Sequence, residues 1–133
     1  MVMEPRREGS TTGHLLVAVV DDDESVRESL PDLLREFGFA ARTFSSAAEF
    51  LSSNSVSQSK CLILDIFMPG MTGLDLQREL RLRGQPIPII FMTAIKNETV
   101  RPHVLEEGAV ECLFKPFSDT ALLEALNKAL QAS

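Results

Sequence analysis

The sequence predicts an α/β fold: a single doubly wound, five-stranded parallel sheet in the order 2-1-3-4-5, with helices on both faces. Two observations lead to it. Five short apolar segments alternate along the chain with five segments whose apolar residues recur every three or four positions. Such alternation is typical of parallel sheets with helical crossovers, and right-handed crossovers leave few strand orders.

The first strand and helix are predicted because the pattern of apolar residues changes from a continuous run to a helical spacing. Residues 15–20 form an apolar run that ends in an aspartate triplet beginning at Asp21. From Glu24 the apolar residues follow a helical spacing, and Gly38 closes the helix. Pro31 lies inside this helix, where proline removes a hydrogen bond. We expect a kink there and not a break, because the apolar stripe continues beyond it.

The second strand is the weakest of the five. Residues 39–44 mix apolar residues with an arginine and a threonine, which suits a sheet edge, as the flavodoxin-like order requires. Ser45 or Ser46 then caps a short helix that ends near Leu51. The polar residues 52–60 are interpreted as a loop.

The third strand, residues 61–64, is an unbroken apolar run that ends at Asp65. A run of this kind indicates a strand buried on both faces. The next helix spans about 73–83, and residues 87–92 form the fourth strand, which ends at Thr93.

The last elements are predicted in the same way. A helix is expected over 98–107, with Pro102 near its first turn, and residues 110–114 form the fifth strand. Ser118 caps a final helix, which buries Leu122, Ala125, Leu126 and Ala129.

Composition narrows the class of protein. The chain has 133 residues and a formal net charge of -6, which argues against electrostatic binding of nucleic acid or of anionic membranes. No apolar run approaches the ~20 residues of a membrane span. Cys61 and Cys112 lie in apolar runs without CxxC spacing, so we interpret them as reduced core residues of a cytoplasmic protein. We expect a flexible arm over 1–13 and one domain over 14–133.

Polar residues follow four of the five strands. Asp21 and Asp22 follow the first strand, Asp65 the third, Thr93 the fourth and Lys115 the fifth. Taken singly, each could be a cap, a turn residue or a solvated charge. The carboxyl ends of parallel strands meet at one edge of the sheet, where the sites of such folds lie. We therefore expect these five side chains to form one site.

Charge balance predicts what that site binds. Three ionised carboxylates carry a charge of -3, and like charges at close range raise one another's pKa unless a cation lies among them. A divalent ion and Lys115 would balance them. An all-oxygen ligand set indicates Mg²⁺, and a balanced site of this kind can accept a phosphoryl group.

The motifs resemble a known family. They are VVDDD (19–23), DIFMPGMTG (65–73), MTA (92–94) and KPF (115–117). In combination they resemble the response-regulator receiver domains of two-component signalling. VDDDESVR (20–27) and GAV (108–110) make the FixJ/NarL type the most similar.

The resemblance implies a role for each site residue. Asp65 would accept a phosphoryl group from a sensor histidine kinase or phosphotransfer protein. Asp22, Asp65 and the Phe67 carbonyl would ligate Mg²⁺, with Asp21 acting through water. Lys115 would pair first with Asp65 and then with the phosphoryl group.

The resemblance also implies how the signal is passed on. Thr93 would hydrogen-bond a phosphoryl oxygen and shift its loop, and the small Ala94 would leave room for the donor. The bond between Lys115 and Pro116 would be cis. The change would reach the face formed by the fifth strand and its two flanking helices. A phosphorylation-dependent homodimer and a fused or separate effector are implied as partners, and classical enzyme activity is not.

The chain departs from the family pattern at two places. Cys112 stands where many receivers carry a switch aromatic, so Phe114, on the same strand face, is our candidate for a partner contact. Phe67 and Ile95 occupy positions that influence acyl-phosphate hydrolysis in this family. Since neither side chain can orient water by a hydrogen bond, we expect a long-lived phosphorylated state.

Other functions remain open at this point. An aspartate-nucleophile Mg²⁺ phosphohydrolase would use similar residues, although it carries its nucleophile after the first strand. An FMN binder lacks support, since no Ser/Thr/Gly-rich loop follows that strand. A degenerate receiver acting as a binding module is the third alternative. The chain is expected to be a stand-alone receiver or the N-terminal part of a transcription factor.

Overall fold

The computed structural model describes residues 14–131, and it confirms the predicted sheet. The strands are β1 (Leu16–Val20), β2 (Ala40–Phe44), β3 (Ser59–Asp65), β4 (Ile89–Thr93) and β5 (Glu111–Phe114). They lie in the order β2-β1-β3-β4-β5, and every pair is parallel. The weak second strand is at an edge, as expected. The predicted arm, residues 1–13, lies outside the described residues.

Five helices connect the strands in this part of the chain, and a sixth follows β5. They are α1 (Glu24–Glu36), α2 (Ala47–Leu51), α3 (Ser55–Gln58), α4 (Gly73–Leu82), α5 (Val100–Glu106) and α6 (Asp119–Gln131). Helix α1 continues through Pro31, which confirms that this proline does not break it.

The interpretation of 52–60 as a loop is wrong in part. One short helix, α3, lies within it, and β3 begins at Ser59. Serine side chains stabilise this turn: the Ser59 hydroxyl donates to the Ser55 carbonyl at 2.7 Å. The segment has too few apolar residues to show a helical period, so the sequence pattern missed it.

Two apolar layers enclose the sheet. Alternate residues of the strands point to opposite faces. One layer packs Leu62, Leu64 and Phe91 under α2 to α5, and the other packs Ile63 and Ile90 under α1 and α6. Because both faces are covered, the residues after the strand ends are the ones that can meet solvent and ligands. Among the described residues, no helix is long and apolar enough to cross a membrane.

Candidate functional site

The five predicted side chains meet at the carboxyl edge of the sheet. Carboxylate oxygens of Asp21, Asp22 and Asp65 lie within 4.8 Å of one another. Asp21 and Thr93 are fully buried, Asp65 is nearly so, and Asp22 is exposed. The structure thus places together residues that are far apart in sequence, in a cluster open to solvent on one side.

Lys115 lies within this cluster, but its ion pair is not the one that the resemblance implied. Its Nζ donates to Asp21 Oδ2 at 2.8 Å, so the lysine pairs with Asp21 and not with Asp65. Asp21 is the fully buried carboxylate, and a buried charge without a partner of opposite sign costs the most free energy. The strand ends are tied as well, since the Lys115 N–H donates to the Thr93 carbonyl at 2.8 Å.

The charges of the site shift two pKa values. Burial, the nearby Asp21 carboxylate and the charge of Asp22 raise the pKa of Asp65 to about 7, although Lys115 opposes the shift. Burial lowers the pKa of Lys115, but its hydrogen bond to Asp21 and the charge of Asp65 outweigh this effect, and the net pKa lies above its usual value. Without a further cation, the negative charge of the three carboxylates therefore exceeds the positive charge of Lys115.

This donor set fits a divalent cation. Three carboxylates at close range offer hard oxygen ligands, which is the chemistry that Mg²⁺ prefers. A bound cation would also lower the cost of holding like charges together. Phe67, whose carbonyl was the fourth expected ligand, follows two residues after Asp65, and its side chain is 50% exposed.

The backbone around Asp65 is fixed by Gly73. The Gly73 N–H donates to the Ile66 carbonyl at 2.8 Å, so the start of α4 lies against the end of β3. A Cβ at Gly73 would come within 2.6 Å of the Asp65 carbonyl oxygen and 3.0 Å of a ring carbon of Phe91. Only glycine permits this approach, and the conformation of the loop after Asp65 depends on it.

The loop after β4 begins with Thr93. Its Oγ1 accepts a hydrogen bond from the Ile95 N–H at 3.0 Å, which orders the start of the loop. Ala94 is exposed beside it, and the Ile95 side chain is 50% exposed. Phe67 and Ile95 thus both present apolar surface to solvent from loops that start at the site.

Cys112 and Phe114 both belong to β5, the strand that leads to Lys115. Cys112 is buried, and burial raises the pKa of its thiol to about 11, so it is a neutral core residue, as expected. Phe114 is partly buried and lines a groove of about 610 Å³ with Lys96, Glu98 and Ala121. The expected cis bond between Lys115 and Pro116 is present.

Two further contacts order the backbone beside the site, and only the helix cap was among the interpretations that the aspartate run left open. Arg27 Nη1 donates to the Asp21 carbonyl at 2.9 Å, and Asp23 caps α1 by accepting from the Ser25 N–H at 2.9 Å. The signal for the cap was available, because aspartate directly before a helix is a common N-cap. No periodicity could have found the arginine, since the contact depends on how α1 lies across the end of β1.

Comparison with known proteins gives the family. A profile described as "Response regulator receiver domain" matches residues 17–127. The chain is 40% identical over 116 residues to the response regulator protein TodT of Pseudomonas putida, covering 87% of this chain and 51% of TodT. This chain therefore spans about half the length of the curated relatives it matches.

Solved structures agree. The structure of the response regulator StyR has a TM-score of 0.80 and 45% identity, and the match covers 88% of this chain and 59% of StyR. That of FixJ-N has a TM-score of 0.79 and 34% identity, with 89% and 94% covered. With the fold, the strand-end cluster and the profile in agreement, this chain belongs to the response regulator receiver domain family, and to its FixJ-like members in particular.

Proposed function

We propose that this domain is a phosphorylation switch in which Asp65 accepts a phosphoryl group from a histidine kinase or a phosphotransfer protein. The observation that carries the proposal is the cluster of three carboxylates within 4.8 Å beside Lys115 and Thr93. Family membership supports it, because receiver domains act in two-component signalling.

The chemistry assigns a task to each side chain. A carboxylate oxygen of Asp65 forms a bond to phosphorus while the bond from phosphorus to the donor's imidazole nitrogen breaks, and the electron pair stays on the imidazole. Asp21, Asp22 and Asp65 would hold Mg²⁺, with the Phe67 carbonyl as a further ligand. A bound ion would supply positive charge to offset the negative charge of the phosphoryl oxygens.

Lys115 and Thr93 would bind the phosphoryl group once it is on Asp65. The Lys115 ammonium would leave Asp21 for a phosphoryl oxygen. The Thr93 hydroxyl would exchange the Ile95 N–H for another such oxygen, which would move the loop after β4. The change would pass to α5, β5 and α6, where Phe114 lines the groove, and there support a dimer or an effector contact. We place the domain in the cytoplasm, where such kinases present their phosphoryl groups.

One experiment separates this function from the alternatives. The protein is incubated with Mg²⁺ and a small acyl-phosphate donor, and the adduct on Asp65 is detected by its sensitivity to hydroxylamine. A lasting adduct that is absent from D65N supports the switch, whereas rapid release of phosphate favours a phosphohydrolase. No adduct and no release would refute the proposal and favour a degenerate receiver.

A further inference from the structure

Two side chains of α4 reach the carbonyl oxygen at the C-terminal end of α5. Gln77 Nε2 donates to the Glu107 carbonyl at 3.1 Å, and Arg81 Nη2 donates to the same oxygen at 2.7 Å. Gln77 is buried, while Arg81 is exposed. We call this pair of bonds the Glu107 clamp.

Apart from the clamp, helix α5 is held by the ion pair of Arg101 with Glu111 of β5 and by the packing of Val100 and Leu105 against the core. Val104 is its one fully buried residue, and Thr99 at its N-cap makes no side-chain capping bond. Backbone hydrogen bonds close its last turn: the Gly108 N–H donates to the Leu105 carbonyl, and the Ala109 N–H donates to the Val104 carbonyl. The Glu107 carbonyl instead takes its donors from α4, so the clamp holds the C-terminal end of α5 while the Arg101–Glu111 ion pair holds its first turn.

Helix α4, by contrast, is firmly anchored. Thr72 and Asp75 form a capping box at its start, and the Gly73 N–H bonds to the Ile66 carbonyl directly after the phosphoacceptor. The clamp therefore joins a firmly anchored helix, which follows Asp65, to a helix with fewer buried residues, which follows the Thr93 loop.

The surroundings of the clamp allow movement. A cavity of about 240 Å³ lies beside it, lined by Gln77, Arg81, Ile87 and Gly108 among others. The Gln77 Oε1 is buried without a hydrogen-bond partner, which costs free energy in the clamped arrangement. The Glu107 clamp thus borders a cavity and leaves one buried oxygen without a hydrogen bond. These features suit a contact that is made in one arrangement of the helices and broken in another.

We propose that the Glu107 clamp holds α5 in the resting arrangement and that Gln77 and Arg81 are positioning residues for the switch. A bond present in only one of two arrangements biases the equilibrium toward that arrangement by its net free energy. Without the clamp, α5 and the Thr93 loop reach the phosphorylated arrangement more easily. This second part rests on the proposed function.

The test compares Q77M, R81M and the control R78M by hydrogen exchange of the unphosphorylated protein. Arg78 is an exposed arginine of the same helix whose ion pair is with Asp75, so it does not reach α5. In Q77M and R81M we expect the amides of residues 103–109 to exchange about fivefold faster, the factor that one net hydrogen bond provides. The amides of α1 and α6 should keep the parent rates, as should all amides in R78M.

The same variants are then phosphorylated with a small acyl phosphate and Mg²⁺. We expect Q77M and R81M to react about fivefold faster than the parent and R78M. Unchanged exchange in both variants would overturn the clamp itself. Faster exchange with an unchanged phosphorylation rate would overturn its role in the switch. If even the parent takes up no phosphoryl group, the proposed function and the switch role fail together, and the exchange data still decide whether the clamp holds α5.

Discussion

Replacing Asp65 by asparagine tests the electrostatic description of the site. In the metal-free protein the pKa of Asp65 rises from 3.8 to about 7 because the carboxyl is buried beside Asp21. Its ionised form is therefore disfavoured in the folded state. A raised folded-state pKa gives stability that is complete below the unfolded value and is lost as the pH rises toward 7. D65N carries no such charge and avoids that loss.

The magnitude follows from the shift. About three pKa units at roughly 1.36 kcal/mol each give an upper bound of about 4 kcal/mol. The cluster is open to water at Asp22, so screening reduces this to about 2 kcal/mol. For a domain of this size we therefore expect D65N to melt about 8 °C above the parent at pH 8 in chelator.

The assay is thermal or urea unfolding in chelator between pH 4 and pH 8. The advantage of D65N should be near zero at pH 4 and complete by pH 8. Mg²⁺ should reduce it, because the ion stabilises the parent by binding its folded state. D32N is the matched control, since Asp32 is an exposed carboxylate on α1. A D65N gain that does not depend on pH, or no gain at pH 8, would refute the reasoning.

Three further predictions concern the surroundings of the site. G73A should lower the free energy of unfolding by about 2 kcal/mol in urea denaturation, since its Cβ would press on backbone atoms of Asp65 and Ile66 at the end of β3. K115M should lower that free energy by about 3 kcal/mol at pH 8 in chelator, because Asp21 would remain buried without its partner. The double variant F67N/I95E should lose its phosphoryl group on the order of tenfold faster in a radiolabel chase, the factor that roughly 1.4 kcal/mol of transition-state stabilisation gives.

The first two of these predictions have a control within the chain. For the glycine it is G84A, because a Cβ at Gly84 meets no atom within 4 Å and only the backbone conformation is strained. For the lysine it is K128M, an exposed residue whose loss should cost less than about 1 kcal/mol. Equal losses in the two lysine variants would contradict the ion pair described, and an unchanged stability of G73A would contradict the close approach at Gly73. For the lifetime, a double variant that dephosphorylates no faster than the parent would show that the two apolar side chains do not screen water.

The sequence determined most of the fold because its pattern is local and repeated. Five apolar runs separated by helical periods predict a parallel sheet, and the carboxyl ends of parallel strands must meet. Asp21, Asp65, Thr93 and Lys115 could therefore be assigned to one site without coordinates. Helix α3 was missed, since a single turn of polar residues has no hydrophobic period.

Only the tertiary structure decided which of these groups pair. Lys115 is far from both Asp21 and Asp65 in the chain, and both carboxylates lie at strand ends, so sequence could not choose between them. The pairing follows burial: Asp21 is more completely buried than Asp65, and it is Asp21 that forms the ion pair with Lys115. The Glu107 clamp is of the same kind, because it joins two helices through a backbone oxygen, and a backbone oxygen carries no sequence signal. The order of the strands can be predicted from local periodicity. The partner of each charged or polar side chain depends on burial and distance in the folded molecule.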